Sequence, residues 1–334
     1  MVPLPLVKYR VGWICALTIE EVAAKAMLDE EHGMIQGQGQ DTNTYLAGRI
    51  HDHNVVIACL PAGIDGLVAA ATVGNNMART FTNLKFMLLV GIGGGIPNLP
   101  NGVDIRLGDV VVSQPNVTSG GVIQYDKGKS VDGVGFIRKG TLNTPPTVLL
   151  TAIKTLEVNH KLNHSRIPTY LSSISSRCPQ LPEHFYAYPG AEQDRLFKAT
   201  YSHCSAGDSC DNCDQTQRVR REDRRNIWPQ VHYGIIASGN VVVKDPIMRD
   251  SLRSAYDALC VEMEAAGLMN DFPCLVIRGI CDYADSHKND TWHRYAAATA
   301  AAYTKELLLY VSTKEQHQVD MEPETAGKLR SLCS

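Results

Sequence analysis

The chain has 334 residues, 44% of them apolar and 20% charged, so it can bury a full core and wholesale disorder is excluded. Its formal net charge is −3, from 32 Lys+Arg against 35 Asp+Glu, which gives no electrostatic case for nucleic-acid binding. No apolar run approaches the ~18 residues of a membrane span, and Met1-Val-Pro-Leu-Pro lacks the basic-then-apolar pattern of a secretory signal.

Residues 9–17 read as a short apolar strand, followed by Thr18 as an N-cap and a helix whose first turn carries Glu20 and Glu21. Two β-rich runs, Asn43–Ile50 and His53–Leu60, predict a hairpin. Gly66–Phe81 has helical spacing, and Phe86–Val90 is a buried strand that runs into Gly91-Ile-Gly-Gly-Gly-Ile-Pro97. Val110–Ser113 and Gly121–Tyr125 add strands, and Pro145-Pro146 opens a helix to about Val158. Residues 162–230 carry Pro, Ser, His, Cys and a basic run, Arg218–Arg225, with little periodicity. A strand follows from His232 towards Ser238-Gly239-Asn240, then a helix over Ile247–Leu259, a strand at Cys274–Arg278 and a helix over Ala296–Val311. The alternation predicts an α/β fold with a mixed central β-sheet flanked by helices. One domain over 1–312, an irregular insertion at 162–230 and a polar tail at 313–334 are expected.

Cys15, Cys59, Cys260, Cys274 and Cys281 stand in apolar or small-residue contexts, where a free thiol packs as a small hydrophobe. The expected setting is a reducing one, cytoplasmic rather than secreted. His203, Cys204, Cys210 and Cys213 form one Cys-x-x-Cys with two further ligand types nearby. Zinc sites usually show two well-spaced pairs, so a cysteine-containing surface loop is the preferred reading, with no metal or cofactor expected.

Three strand ends carry unusual residues, and strand ends are where open α/β sheets bind ligands. The glycines at 91, 93, 94 and 95 permit close backbone approach, but their spacing fits neither a dinucleotide fingerprint nor a P-loop. A tight strand-to-loop turn is the competing reading. Val261-Glu262-Met263-Glu264-Ala265-Ala266 sets two carboxylates among apolar neighbours, costly if buried unpaired and well suited to sugar hydroxyls. Asp282 follows an apolar strand, a good place for a proton donor whose pKa is raised by burial. Asp285 reads instead as a turn residue.

Taken together, Val11-Gly12, Glu20, Gly91–Gly95, Gly108–Ser113, Ser238-Gly239-Asn240, Val261–Ala265 and Asp282 resemble the purine nucleoside phosphorylase and nucleosidase superfamily over most of residues 9–312. Phrases such as Val-Gly-Ile-Gly-Gly-Gly-Ile-Pro and Gly-Ile-Cys-Asp-Tyr-Ala-Asp-Ser-His-Lys look like the phosphorylase-type domains at the head of fungal receptor-like proteins. The resemblance implies cleavage of a glycosidic C–N bond in a small-molecule purine nucleoside or nucleotide. Glu264 would accept from the ribose hydroxyls with Met263 against the sugar, Glu262 beside them and Gly93 and Gly94 at the strand end. Asp282 would protonate purine N7, and the base would lie near Ser238, Asn240, Val242 and Val243. Phosphorolytic relatives bind phosphate where this chain has Leu89 or Val90 and Ile92, whereas hydrolytic relatives carry a water-activating glutamate at the place of Glu20. Water is therefore the expected nucleophile. An adenosine or adenine-nucleotide glycosidase is the leading expectation, with Lys244 and Arg249, or Arg79, Arg106 and the Arg218–Arg225 run, as cations for a 5′-phosphate. The alternatives are a phosphate-dependent phosphorylase and a nucleoside-sensing module without turnover. The resemblance also implies a homo-oligomer.

Overall fold

A computed structural model describes residues 3–162, 164–204 and 209–313. The tail expected over 313–334 thus lies, beyond Thr313, outside the described residues. The first half comprises β1 (Val11–Cys15), α1 (Thr18–Met27), β2 (Glu30–Gln36), β3 (Thr44–Ile50), β4 (His53–Cys59), α2 (Gly66–Thr80) and β5 (Phe86–Gly95). The middle adds β6 (Val110–Ser113), β7 (Val122–Gln124), the hairpin of β8 (Gly128–Val131) and β9 (Gly135–Arg138), then α3 (Thr147–Lys161) and α4 (Ile167–Arg177). After an irregular stretch come β10 (Val231–Ser238), α5 (Pro246–Tyr256), β11 (Ala258–Glu262), α6 (Ala265–Leu268), β12 (Cys274–Asp282) and α7 (His293–Leu308).

The main sheet runs β11-β10-β6-β12-β5-β1-β4-β3-β2, with β7 beside β10. It is mixed, as expected. β5 pairs in parallel with β1 and β12, while β12 pairs antiparallel with β6. At its far end β5 turns to β11, where Gly94 and Gly95 face Val261 and Cys260 in an antiparallel step. That step rolls half of the sheet into a closed ring and draws the ends of β5, β11 and β12 together.

Side chains alternate across the strands. Trp13, Leu88, Val90 and Ile277 enter the core shared with α1, α3 and α7. Ile14, Leu89 and Val276 enter the core shared with α2 and α6. From Tyr295 to Leu308, α7 is buried on every face, because α1, with α3 and α4, covers what the sheet does not. Its polar residues are accordingly paired: Glu306 accepts from Arg166 N–H at 2.7 Å, and Lys305 donates to Met27 O at 2.6 Å.

The structure differs from the sequence expectation at several places: α1 begins at Thr18 with Leu17, not Thr18, at its N-cap, and the β8–β9 hairpin was not foreseen. β2 was unforeseen because Glu-Glu-His-Gly-Met-Ile-Gln is an edge strand with a mostly exposed face. The glycine run is no turn but the continuation of β5. The helix expected over Ile247–Leu259 ends at Tyr256, where Asp257 takes a left-handed conformation (φ 52°) and starts β11. The insertion expected at 162–230 opens with a regular helix, α4. Among the described residues, no helix is long and apolar enough to cross a membrane.

Candidate active site

Glu20 is the third residue of α1, and its side chain turns back to the helix start. Oε2 accepts from Ala16 N–H at 2.7 Å and Leu17 N–H at 3.0 Å, while Oε1 accepts from Ile92 N–H at 2.8 Å. The last of these requires the carboxylate to lie against β5. A Cβ on Gly91 would stand 2.5 Å from both Glu20 Oε1 and Arg278 Nη1, so glycine lets both side chains lie where they do. Gly94 does the same for Asp282, whose Oδ1 would lie 2.9 Å from an added Cβ. The glycines therefore let acidic side chains pack on a strand, a role different from cradling an anion.

Arg278, buried on β12, stands at the centre of the acids. Its guanidinium donates to Glu262, to Glu264 Oε2 at 3.0 Å and to Ile92 O at 3.3 Å. Burial opposes its charge, but Glu262, Glu264 and Glu20 outweigh that and hold it more firmly protonated than usual. Its Nε finds no partner among the described residues. Glu262 is fully engaged: besides Arg278 it accepts from Glu264 N–H at 3.1 Å and Ala265 N–H at 3.0 Å, capping α6. Glu264 is less tied. Burial pushes its carboxyl up to about 7 against the pull of Arg278. Burial also raises Glu20, with Arg278 and three backbone N–H groups working the other way.

Asp282 ends β12 just after a register shift between Ile280 and Asp282, a bulge that re-aims its side chain. Oδ1 accepts from Ala284 N–H at 2.8 Å, and Oδ2 lies 3.0 Å from Lys288 Nζ. The proton donor foreseen at this residue is thus, in the fold, half of an ion pair. Partial burial of Lys288 opposes its charge, yet Asp282 raises its pKa. His293 Nε2 is buried with no partner among the described residues, and burial lowers the ring's pKa towards the neutral form.

These groups line one cavity of about 160 Å³, together with Ala16, Leu17, Asp65, Ile92, Gly93, Gly94, Val241, Val242, Val243, Val261, Met263 and Cys281. Of the predicted site residues, Glu20, Glu262, Met263, Glu264, Asp282, Gly93, Gly94, Val242 and Val243 are brought together here. Four are not. Ser238 Oγ accepts from Ala266 N–H at 2.9 Å and supports α6. Asn240 Oδ1 accepts from Leu67 N–H at 3.0 Å, at the start of α2. Arg249 is buried, donating to Tyr283 O at 3.1 Å and Asp250 Oδ1 at 2.9 Å. Lys244 is exposed and does not line the cavity. The basic run is partly drawn into the fold: Arg220 and Arg225 are exposed, but Arg221 pairs with Asp194 at 2.9 Å, and Arg224 pairs with buried Asp109. Arg106 is occupied by Asp104 at 2.6 Å. Arg278, Lys288 and His293 were missed. A cation two residues before a bulge and another six beyond Asp282 carry no periodic signal.

The sequence model of the phosphorylase superfamily matches residues 10–309. The chain belongs to the phosphorylase superfamily. Within it, this member is 47% identical over 308 residues to a nucleotide-binding leucine-rich repeat (NLR)-like protein of Hyaloscypha variabilis, covering 91% of this chain and 30% of that one. It is 26% identical over 312 residues to the ATP nucleosidase Cap17 of Escherichia coli, covering 88% of this chain and 50% of that one. The chain therefore spans half or less of these curated relatives. The solved futalosine hydrolase of Helicobacter pylori shares the fold, with a TM-score of 0.57 at 18% identity over 90% of this chain and 97% of that one. So does the 5′-methylthioadenosine/S-adenosylhomocysteine nucleosidase of the same organism, with a TM-score of 0.57 at 18% identity over 90% and 98% of the two chains.

A second gathering lies behind Asp282. The metal-ligating atoms of His203, Cys210 and Cys213 stand within 4.8 Å of one another, so the fold collects what the sequence suggested was an ordinary loop.

Proposed function

We propose that the chain is a purine nucleosidase that hydrolyses the N-glycosidic bond of adenosine or an adenine nucleotide. The carrying observation is that Glu20, Glu264 and Asp282, from three distant stretches of sequence, line one cavity around the single guanidinium of Arg278. Glu20 takes a proton from water as the oxygen attacks C1′ on the face opposite the base. The C1′–N9 bond breaks, its electron pair goes to the purine, and the Asp282–Lys288 pair supplies a proton at N7. Glu264 accepts from the ribose 2′- and 3′-hydroxyls, with Met263 against the sugar. The cavity is smaller than the roughly 300 Å³ typical of a ligand pocket, and half-exposed Val241 and Val242 form part of its wall.

Three carboxylates against one arginine make this floor a poor host for a phosphate dianion, which favours water over phosphorolysis. The Escherichia coli relative, an ATP nucleosidase, supports an adenine nucleotide as substrate. Arg249 is committed inside the fold, and Lys244, exposed and one residue beyond the Val243 wall, is the cation we assign to a 5′-phosphate.

The test is to incubate the protein with adenosine or ATP, with and without inorganic phosphate, and to separate the products by chromatography. Adenine should appear at the same rate in both conditions, accompanied by ribose or its 5′-phosphate ester and not by ribose 1-phosphate. Asp282→Asn should lower kcat by about 10²–10⁴-fold in a protein that still folds, checked by its circular dichroism spectrum. Strictly phosphate-dependent release would overturn hydrolysis, and tight binding without base release would make the domain a sensor.

A further inference from the structure

Outside the cavity, the insertion between α4 and β10 builds a compact cluster of soft ligands. Cys210 and Cys213 are buried, and Cys213 N–H closes a turn on Cys210 O at 3.2 Å. Gln215 Nε2 donates to both carbonyls, at 3.3 Å and 2.7 Å, which fixes the Cys-x-x-Cys backbone. His203 brings its imidazole to the two sulfurs, all three ligand atoms lying within 4.8 Å of one another. Ligands on a tetrahedral zinc, with bonds of roughly 2.0–2.3 Å, stand about 3.5–3.8 Å apart, so a small contraction closes the set.

Two further groups border it. Cys204 Sγ is 3.5 Å from Cys213 Sγ, the separation of two thiolates sharing one zinc. His287 is stacked on Phe197 with ring centroids 4.1 Å apart and meets His203 edge-on at 5.4 Å. Its side chain is 5% exposed; Nδ1 stands 3.5 Å from Asp285 Oδ1, and Nε2 has no hydrogen-bond partner among the described residues. A buried imidazole nitrogen left unsatisfied is costly unless something else binds it.

We propose that His203, Cys210 and Cys213 hold a structural zinc ion whose fourth ligand is Cys204 or His287. Two protein thiolates and nitrogen or sulfur donors select zinc over magnesium or calcium. No substrate position is left open, so the ion is structural and takes no part in catalysis. Its role follows from what the cluster touches. His203 N–H donates to Ser286 Oγ at 3.0 Å, and Cys210 Sγ lies 3.8 Å from His287 O. The next residue is Lys288, whose ammonium meets Asp282. The zinc pins the insertion to the 285–288 loop and so holds Lys288 in place.

The experiment uses the whole chain, purified under reducing conditions without chelator. Elemental analysis should find one zinc per chain. Cobalt(II) added to the chelated protein should give tetrahedral visible bands and a thiolate charge-transfer band in the near ultraviolet. Cys210→Ser and Cys213→Ser should reduce bound zinc to background and lower the melting temperature by several degrees, whereas Cys178→Ser, away from the cluster, should change neither. Cys204→Ser and His287→Ala assign the fourth position by which of them shifts the cobalt bands; a shift from neither would contradict a closed site. Should the cysteine variants prove insoluble, the cobalt spectrum of the unaltered protein still decides. A disulfide among Cys204, Cys210 and Cys213 in fresh protein, or cobalt bands without thiolate character, overturns the proposal. Metal content and spectra are read without substrate, so they stand independently of the nucleosidase reading.

Discussion

Glu264 is the acid at which the electrostatics of the cavity can be measured directly. Arg278 serves Glu20, Glu262 and Glu264 at once, and Glu262 is saturated by backbone donors and by Arg278 itself. Glu264 is left sharing one guanidinium, and burial lifts its carboxyl to about 7. Below that value it is neutral, and as pH rises through it the ionised group becomes the stronger acceptor for sugar hydroxyls. The ratio of kcat/KM for adenosine to that for 2′,3′-dideoxyadenosine should therefore rise up to about tenfold between about pH 6 and about pH 8. Glu264→Gln should flatten the ratio across that range. A ratio independent of pH in the unaltered protein would detach Glu264 from the ribose, because any effect of pH on Glu20 or Asp282 acts on both substrates alike.

At the scale of elements, the site exists because three strands end together and one of them is made of glycine. Gly91 and Gly279 separate two uses of that residue. On Gly279 a Cβ would stand 1.8 Å from Ala296 O, so the methyl meets the backbone of buried α7 and nothing can yield. Gly279→Ala should cost at least about 4 kcal/mol in chemical denaturation, or abolish soluble expression. On Gly91 the collision is with the ends of Glu20 and Arg278, which can swing aside. Gly91→Ala should fold, lose no more than about 2 kcal/mol, and still lose tenfold or more in kcat. The reverse order of the two stabilities would refute the packing described for β5. This distinction was not legible in the sequence, where all these glycines look alike. What could be read was whatever local pattern determines: the apolar runs of β1, β5 and β12, the β3–β4 hairpin, and acids placed among apolar neighbours at Glu262, Glu264 and Asp282. β2 and β11 escaped because an edge strand of polar residues and a strand following directly on a helix lack that pattern. Ser238, Asn240 and Arg249 were misassigned because a polar side chain near a site looks the same in sequence whether it faces the ligand or supports a neighbouring helix.

On the scale of the whole molecule, the insertion braces the loop that follows Asp282. Tyr283, adjacent to Asp282, is gripped from two sides. Its carbonyl accepts from Arg249 of α5 at 3.1 Å, while its hydroxyl meets Asp194 and Arg221 of the insertion, the latter at 2.7 Å. Arg221 Nη2 also reaches Asp194 Oδ2 at 2.9 Å, and its side chain is 8% exposed, so the network is sealed from water. Truncating Arg221 leaves a buried carboxylate without its counter-charge, a loss of about 3 kcal/mol or more. The consequence for activity separates a strut from a binding residue. If Arg221 only steadies Tyr283 and hence Asp282, Arg221→Ala should lower kcat for adenosine and ATP by the same factor and leave the ratio of their KM values unchanged. Arg221→Lys should recover little, because one ammonium cannot serve a hydroxyl and a carboxylate with the geometry of a guanidinium. An arginine that held a 5′-phosphate would instead raise KM for ATP alone, and that result would return the basic run to the substrate side of the molecule.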